Sequence, residues 1–115
     1  MKIKILATMC GFLFSIATMA QDKNKSDSLK VYGNCGMCKA TIEGSLKKKD
    51  GVISKKWDKN TKILVVTYNP AKISLQKIAD KVASAGYDNE LAKAPDEAYK
   101  QLHECCQYNR PKETK

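Results

Sequence analysis

The period of the apolar residues changes repeatedly between Leu29 and Leu91, and the order of those changes leaves few folds open. Leu29-Lys30-Val31-Tyr32 alternates as a strand does. From Cys38 the spacing turns helical, with Ile42 and Leu46 on one stripe, until a lysine run and Asp50-Gly51 stop it. Val52 to Asp58 and Lys62 to Tyr68 are rich in β-branched and aromatic residues, and Lys59-Asn60-Thr61 between them reads as a hairpin turn. Asn69-Pro70 ends the second of these strands, since proline donates nothing to a ladder. Ser74 then offers an N-cap to a helix whose stripe is Leu75, Ile78, Ala79 and Val82, ending at Gly86. Tyr87 to Leu91 reads as a short last strand.

The predicted order is β-α-β-β-α-β, the split arrangement of an α+β, ferredoxin-like sandwich. Four antiparallel strands would carry both helices on one face. Leu29, Val31, Ile42, Leu46, Leu64, Val66, Ile78 and Val82 are its expected core. Pro95 and the acidic pair Asp96-Glu97 open an extra C-terminal helix expected to run through Cys106, with residues 109–115 frayed. The chain thus divides into residues 1–20, a leader over 21–28, one domain over 29–92 and a helical extension over 93–115.

Residues 1–20 read as a signal peptide. Lys2 and Lys4 precede an apolar run, Ile5 to Ala17, and Thr18 and Ala20 supply small residues for cleavage before Gln21. The run is shorter than the ~18 apolar residues a membrane span needs. Export to the periplasm, or otherwise out of the cytoplasm, is therefore expected. Gln21 to Ser28 is polar and poor in apolar residues, hence its reading as a flexible leader. The net charge of +9 comes from scattered lysines without interleaved aromatics, which argues against nucleic acid. Lys39, Lys47, Lys48 and Lys49 are instead a surface that would attract an acidic partner, and the chain is expected to act as a monomer. The single histidine and the lack of a Ser/His/Asp set or glycine-rich phosphate loop argue against an enzyme.

Cys35 and Cys38 stand three apart where the first strand gives way to the first helix. Free amides and the helix dipole favour thiolates there. Two thiolates with no nearby histidine or carboxylate suit Cu(I) first and Hg(II) second, with Ag(I) and Zn(II) as alternatives; zinc ordinarily wants four ligands. Gly33 and Gly36 would let the loop curl so that both sulfurs face one point. Neither cysteine belongs to the expected core, so both should tolerate serine. The competing chemistry is that of a small periplasmic thiol–disulfide oxidoreductase, for "CGMC" before a helix has that form. Against it, no tryptophan precedes the pair, and two strands follow the first helix directly. A structural disulfide would close too short a loop to stabilise much.

The segments "GNCGMCKATIEGSL", "DGV", "TYNPAKIS" and "AGYDNEL" resemble the heavy-metal-associated domain of copper chaperones, copper-transporting ATPase tails and periplasmic mercury-binding proteins. The resemblance runs from about Leu29 to Ala92. It implies the ferredoxin-like fold, soft-metal binding by Cys35 and Cys38, and passage of the metal by thiolate exchange. The implied partner is a metal-transporting membrane protein or another metal-binding domain. Tyr87 matches the aromatic that shields the sulfurs in that family. Tyr32-Gly33-Asn34 replaces the family's Gly-Met-Thr, so its buried methionine is missing, with Met37 a candidate substitute. Lys55 stands where the second strand is usually apolar and is expected to weaken it locally.

"YKQLHECCQY", Tyr99 to Tyr108, lies outside that resemblance. His103, Cys105 and Cys106 are expected to add soft ligands, as a second metal site or by folding back to raise the coordination at Cys35 and Cys38. A disulfide from one cysteine pair to the other, and packing alone, are the competing outcomes.

Overall fold

In the computed structural model residues 24–111 are described, so the expected signal peptide lies outside them. β1 spans Lys25–Lys30, α1 Gly36–Gly44, β2 Val52–Trp57, β3 Ile63–Tyr68, α2 Leu75–Ser84 and α3 Asp96–Lys100. Single 3-10 turns occupy Lys48–Asp50 and Glu104–Cys106. Among the described residues no helix is long and apolar enough to cross a membrane.

The sheet is antiparallel in the order β1-β3-β2. Leu29 faces Leu64 and Asp27 faces Val66 across β1 and β3. The eight residues expected in the core are all at most 1% exposed, and Trp57 and Tyr68 join them. Ile42 of α1 and Ile78 of α2 pack on the sheet face that carries Leu64 and Val66, while Val65 looks outward. This is the ferredoxin-like α+β arrangement.

Three parts differ from the sequence reading. β1 starts at Lys25, inside the stretch read as leader. That stretch lacks apolar residues because polar pairs tie it down: the Ser26 and Thr67 hydroxyls meet at 2.8 Å, and the Tyr68 hydroxyl donates to Asp27 Oδ2 at 2.6 Å. The fourth strand is reduced to one bridge, Val31 with Asn89. Asn89 ends it, because its Oδ1 accepts from the Leu91 amide at 3.0 Å and its backbone turns back to pair with Ala92. Its Nδ2 meanwhile donates to the Ala79 carbonyl at 3.0 Å, fixing the bend onto α2.

The C-terminal helix is also broken. α3 ends at Lys100, His103 is extended (φ −62°, ψ 152°), and the Gln107 side-chain Nε2 donates to the carbonyls of Lys100 and Leu102. Gly86 makes the docking of this segment feasible. Its φ is +110°, and a Cβ there would stand 2.9 Å from Leu102 Cδ2 and 3.0 Å from the Ala98 carbonyl oxygen. Lys55 does not sit in β2 as an unpaired charge. Its ammonium donates to the Leu46 carbonyl at 2.8 Å, while the local irregularity falls between Val52 and Ser54.

Candidate metal centre

The first cysteine caps α1. Cys35 is extended (φ −140°, ψ −174°), and its carbonyl accepts from Lys39 N at 3.1 Å to begin the helix. Cys38, one turn in, is fully buried, contrary to the expectation that it lies outside the core. The Asn34 amide donates to its sulfur at 3.2 Å.

Trp57 supports the loop from beneath, and sequence reasoning did not single it out. Its indole N–H donates to the Val31 carbonyl at 3.0 Å. A Cβ on Gly33 would come within 3.0 Å of the indole and 3.3 Å of Cys38 Cβ. Glycine is needed at 33 for that close approach, whereas nothing crowds Gly36. Lys62, held at φ +68°, donates to the Gly33 carbonyl at 2.7 Å and lies 5.7 Å from the indole centroid. Lys39 is occupied too, paired with Glu43 at 2.6 Å and donating to the Trp57 carbonyl, so it is not a free docking charge.

The C-terminal segment folds back over this loop. Cys35 Sγ lies 3.8 Å from Cys38 Sγ, 3.3 Å from Cys105 Sγ and 3.9 Å from Cys106 Sγ. Cys105 and Cys106 are 4.0 Å apart, and the sulfurs of Cys35, Cys105 and Cys106 all lie within 4.8 Å of one another. The four cysteines among the described residues are free thiols. The Asn34 side chain donates to the Cys105 carbonyl at 3.2 Å, tying loop to strap. Met37 is half-exposed, with its sulfur 3.5 Å from Cys105 Sγ. His103 is exposed and not part of the cluster; its backbone carbonyl accepts from Cys106 N at 2.8 Å.

The site prepares its sulfurs unequally. The Cys38 backbone amide, then the Cys105 thiol, hydrogen-bond to Cys35 and bring its pKa down to about 6. Cys105 is pushed up, first by its side-chain hydrogen bond with Cys35 and then by burial. Burial, then the Cys38 thiol, pushes Cys106 well up. Tyr87 forms the inner wall: it is fully buried, and among the described residues its hydroxyl has no nitrogen or oxygen partner, only the nearby sulfurs of Cys106 and Cys38. Burial raises its pKa first, and the sulfurs of Cys106 and Cys38 add to the rise.

The strap is anchored by Tyr108 and by Arg110, the latter in the stretch 109–115 that the sequence reading left as a frayed end. Arg110 clamps the buried Asp88 carboxylate through Nε and a terminal nitrogen, both at 2.8 Å, and reaches Asp96 Oδ1 at 2.8 Å. The Tyr108 hydroxyl donates to the Gly86 carbonyl and accepts from Asp88 N, each at 2.8 Å. Tyr108 stacks on Tyr87 with centroids 5.8 Å apart and meets Tyr99 edge-on at 5.0 Å.

The family pattern described as the heavy-metal-associated domain matches residues 34–88. The mercuric transport protein periplasmic component of Shewanella putrefaciens is 32% identical over 90 residues, covering 77% of this chain and 98% of that protein. The chain belongs to the heavy-metal-associated domain family. The copper chaperone CopZ of Staphylococcus aureus is 31% identical over 55 residues, 48% of this chain and 81% of the chaperone. The solved structure of oxidised MerP from Ralstonia metallidurans CH34 superposes with a TM-score of 0.55 at 32% identity, covering 59% of this chain and 96% of that one. The heavy-metal-associated pattern ends at residue 88, so the strap bearing Cys105 and Cys106 lies beyond it.

Proposed function

We propose that this protein binds a soft heavy-metal ion through Cys35 and Cys38 and hands it to a partner by thiolate exchange, as a carrier or scavenger and not as an enzyme. The observation that carries this reading is the pair itself: two sulfurs 3.8 Å apart at a helix N-terminus, one of them on the accessible side with its pKa near 6. A thiolate at neutral pH, held by amide donors, is the ligand a soft cation exchanges onto. Cu(I) is the first cargo and Hg(II) the second, Ag(I) and Zn(II) being alternatives. Membership of the heavy-metal-associated family, with relatives named as a copper chaperone and as a mercuric transport component, supports that choice.

Export belongs to the same proposal. It rests on the residue 1–20 pattern, and the mercuric relative's name calls it a periplasmic component. The acceptor is a metal-transporting membrane protein or another metal-binding domain. The test is anaerobic titration of the reduced protein with Cu(I), beside an insulin-reduction assay. Tight stoichiometric binding without reductase activity is expected. Reductase activity with weak metal binding would make the protein an oxidoreductase instead.

A further inference from the structure

We propose that the C-terminal strap supplies a second set of ligands, so that Cys35, Cys105 and Cys106 hold the cargo as a three-thiolate site in which Cys35 is shared with Cys38. The proposal rests on Cys35 being a ligand, as above, and adds residues outside the family's own pattern.

Geometry separates a three-thiolate shell from chance proximity. Metal–sulfur bonds of about 2.3 Å put sulfurs about 4.0 Å apart in a trigonal shell and about 4.6 Å apart in a linear one. Two of the three edges, 3.9 and 4.0 Å, match the trigonal spacing, and the third, 3.3 Å between Cys35 and Cys105, has to open by about 0.7 Å, within reach of side-chain rotation at the exposed Cys105. Cys38 lies 3.8 Å from Cys35 but outside the group whose sulfurs are all within 4.8 Å of one another, so the two sets meet at the shared Cys35.

The strap is held in place by more than the sulfurs. Arg110 on Asp88 and Asp96, Tyr108 on Gly86 and Asp88, and Asn34 on the Cys105 carbonyl all fix it without any metal present. A ligand set held this way loses little conformational entropy when the ion arrives. Each thiol that ligates gives up its proton.

The consequence is retention. A two-sulfur carrier releases its ion when a partner thiolate enters the open position, whereas here the strap's own thiolates occupy it. Because Cys35 belongs to both sets, the ion can move between the pair and the strap without leaving the protein. Delivery then requires the strap to lift.

The experiment is X-ray absorption on reduced, Cu(I)-loaded protein, with Cu(I) release to a competing chelator followed in parallel. Thiol counting first verifies four free cysteines after residue 20. Three sulfurs per copper are expected in the wild type and two in Cys105→Ser/Cys106→Ser, with release from the variant faster by roughly tenfold or more. Arg110→Ala, which keeps every thiol but loosens the strap, should also release faster. Two sulfurs in the wild type, or equal release rates in wild type and double variant, would overturn the proposal. Cys35→Ser separates the two readings. If it abolishes binding while the strap variants change nothing, only the strap proposal falls; if it leaves binding intact, the Cys35/Cys38 carrier falls.

Discussion

The thiol of Cys35 lies 3.3 Å from the thiol of Cys105, seventy residues further along the chain. Nothing local to either residue produces that contact. It follows from α3 ending at Lys100, from His103 being extended, and from Gly86 letting Leu102 settle against the end of α2. The same path directs the His103 side chain to solvent and Cys106 into the core beside Tyr87.

His103→Ala should therefore leave metal coordination unchanged, despite the position of this histidine beside two cysteines. A nitrogen contribution that disappears in the variant's X-ray absorption spectrum would show that the imidazole turns inward on loading.

Cys35→Ser should abolish tight binding, whereas Cys38→Ser leaves Cys35, Cys105 and Cys106 to hold the ion, and the two variants should also differ in the metal-free protein. Cys38 is fully buried beneath the loop, so a serine hydroxyl there costs about 1–2 kcal/mol. Cys35 is partly exposed, and its replacement should shift the urea midpoint little. Equal midpoints for the two variants would contradict the burial of Cys38.

Cys35 should be the first thiol to react with iodoacetamide as pH rises in the reduced, metal-free protein. Its pKa near 6 makes it largely thiolate at pH 7, whereas Cys105 and Cys106 are pushed upward and react only under alkaline conditions. Cys105→Ala removes one of the hydrogen-bond partners that lower Cys35, so its reactivity midpoint should move upward. An unmoved midpoint would mean that the α1 amides alone set it.

The eight core residues were legible in the sequence because their spacing keeps to one face of a helix or strand, and each is buried. The CxxC pair was legible because its position at a strand-to-helix junction is local. What escaped depends on partners far away. β1 begins early because Asp27 meets Tyr68, and Asn89 stops the last strand because its side chain competes with the ladder. Trp57 was passed over as one more strand aromatic, although Gly33 is small so that this indole can lie under the loop. Arg110 sits in a polar, proline-containing tail; its order comes from distant partners, the buried Asp88 first, with Asp96 and the Ala94 carbonyl.

Gly86→Ala should loosen the strap without touching a sulfur. Alanine at φ +110° costs roughly 1–2 kcal/mol in the backbone alone, and its Cβ would meet Leu102 Cδ2 at 2.9 Å. The expected result is a loss of about 2–3 kcal/mol in stability together with faster alkylation of Cys105. Wild-type stability and wild-type alkylation would contradict the close packing of α3 on Gly86.

Arg110→Ala should weaken the acid response of the fold. Burial alone would raise the Asp88 carboxyl, but the Arg110 guanidinium and the Ala94 amide outweigh it and hold the group below the usual carboxylate range. The unfolded chain titrates near 3.9 and so binds more protons than the folded one just below that pH. The clasp's contribution is thus fully present above the unfolded pKa and is lost as pH falls through the lower folded one. Without Arg110 burial is opposed only by the Ala94 amide and the Tyr108 hydrogen bond, so the folded pKa rises toward the unfolded one and less stability is lost to acid. Urea midpoints measured from pH 6 down to pH 3 should show the variant weaker by about 2–3 kcal/mol at neutral pH, with the gap closing as acid is added. Two parallel curves would mean that Asp88 does not depend on Arg110, and the anchor of the strap would have to lie in Tyr108 alone.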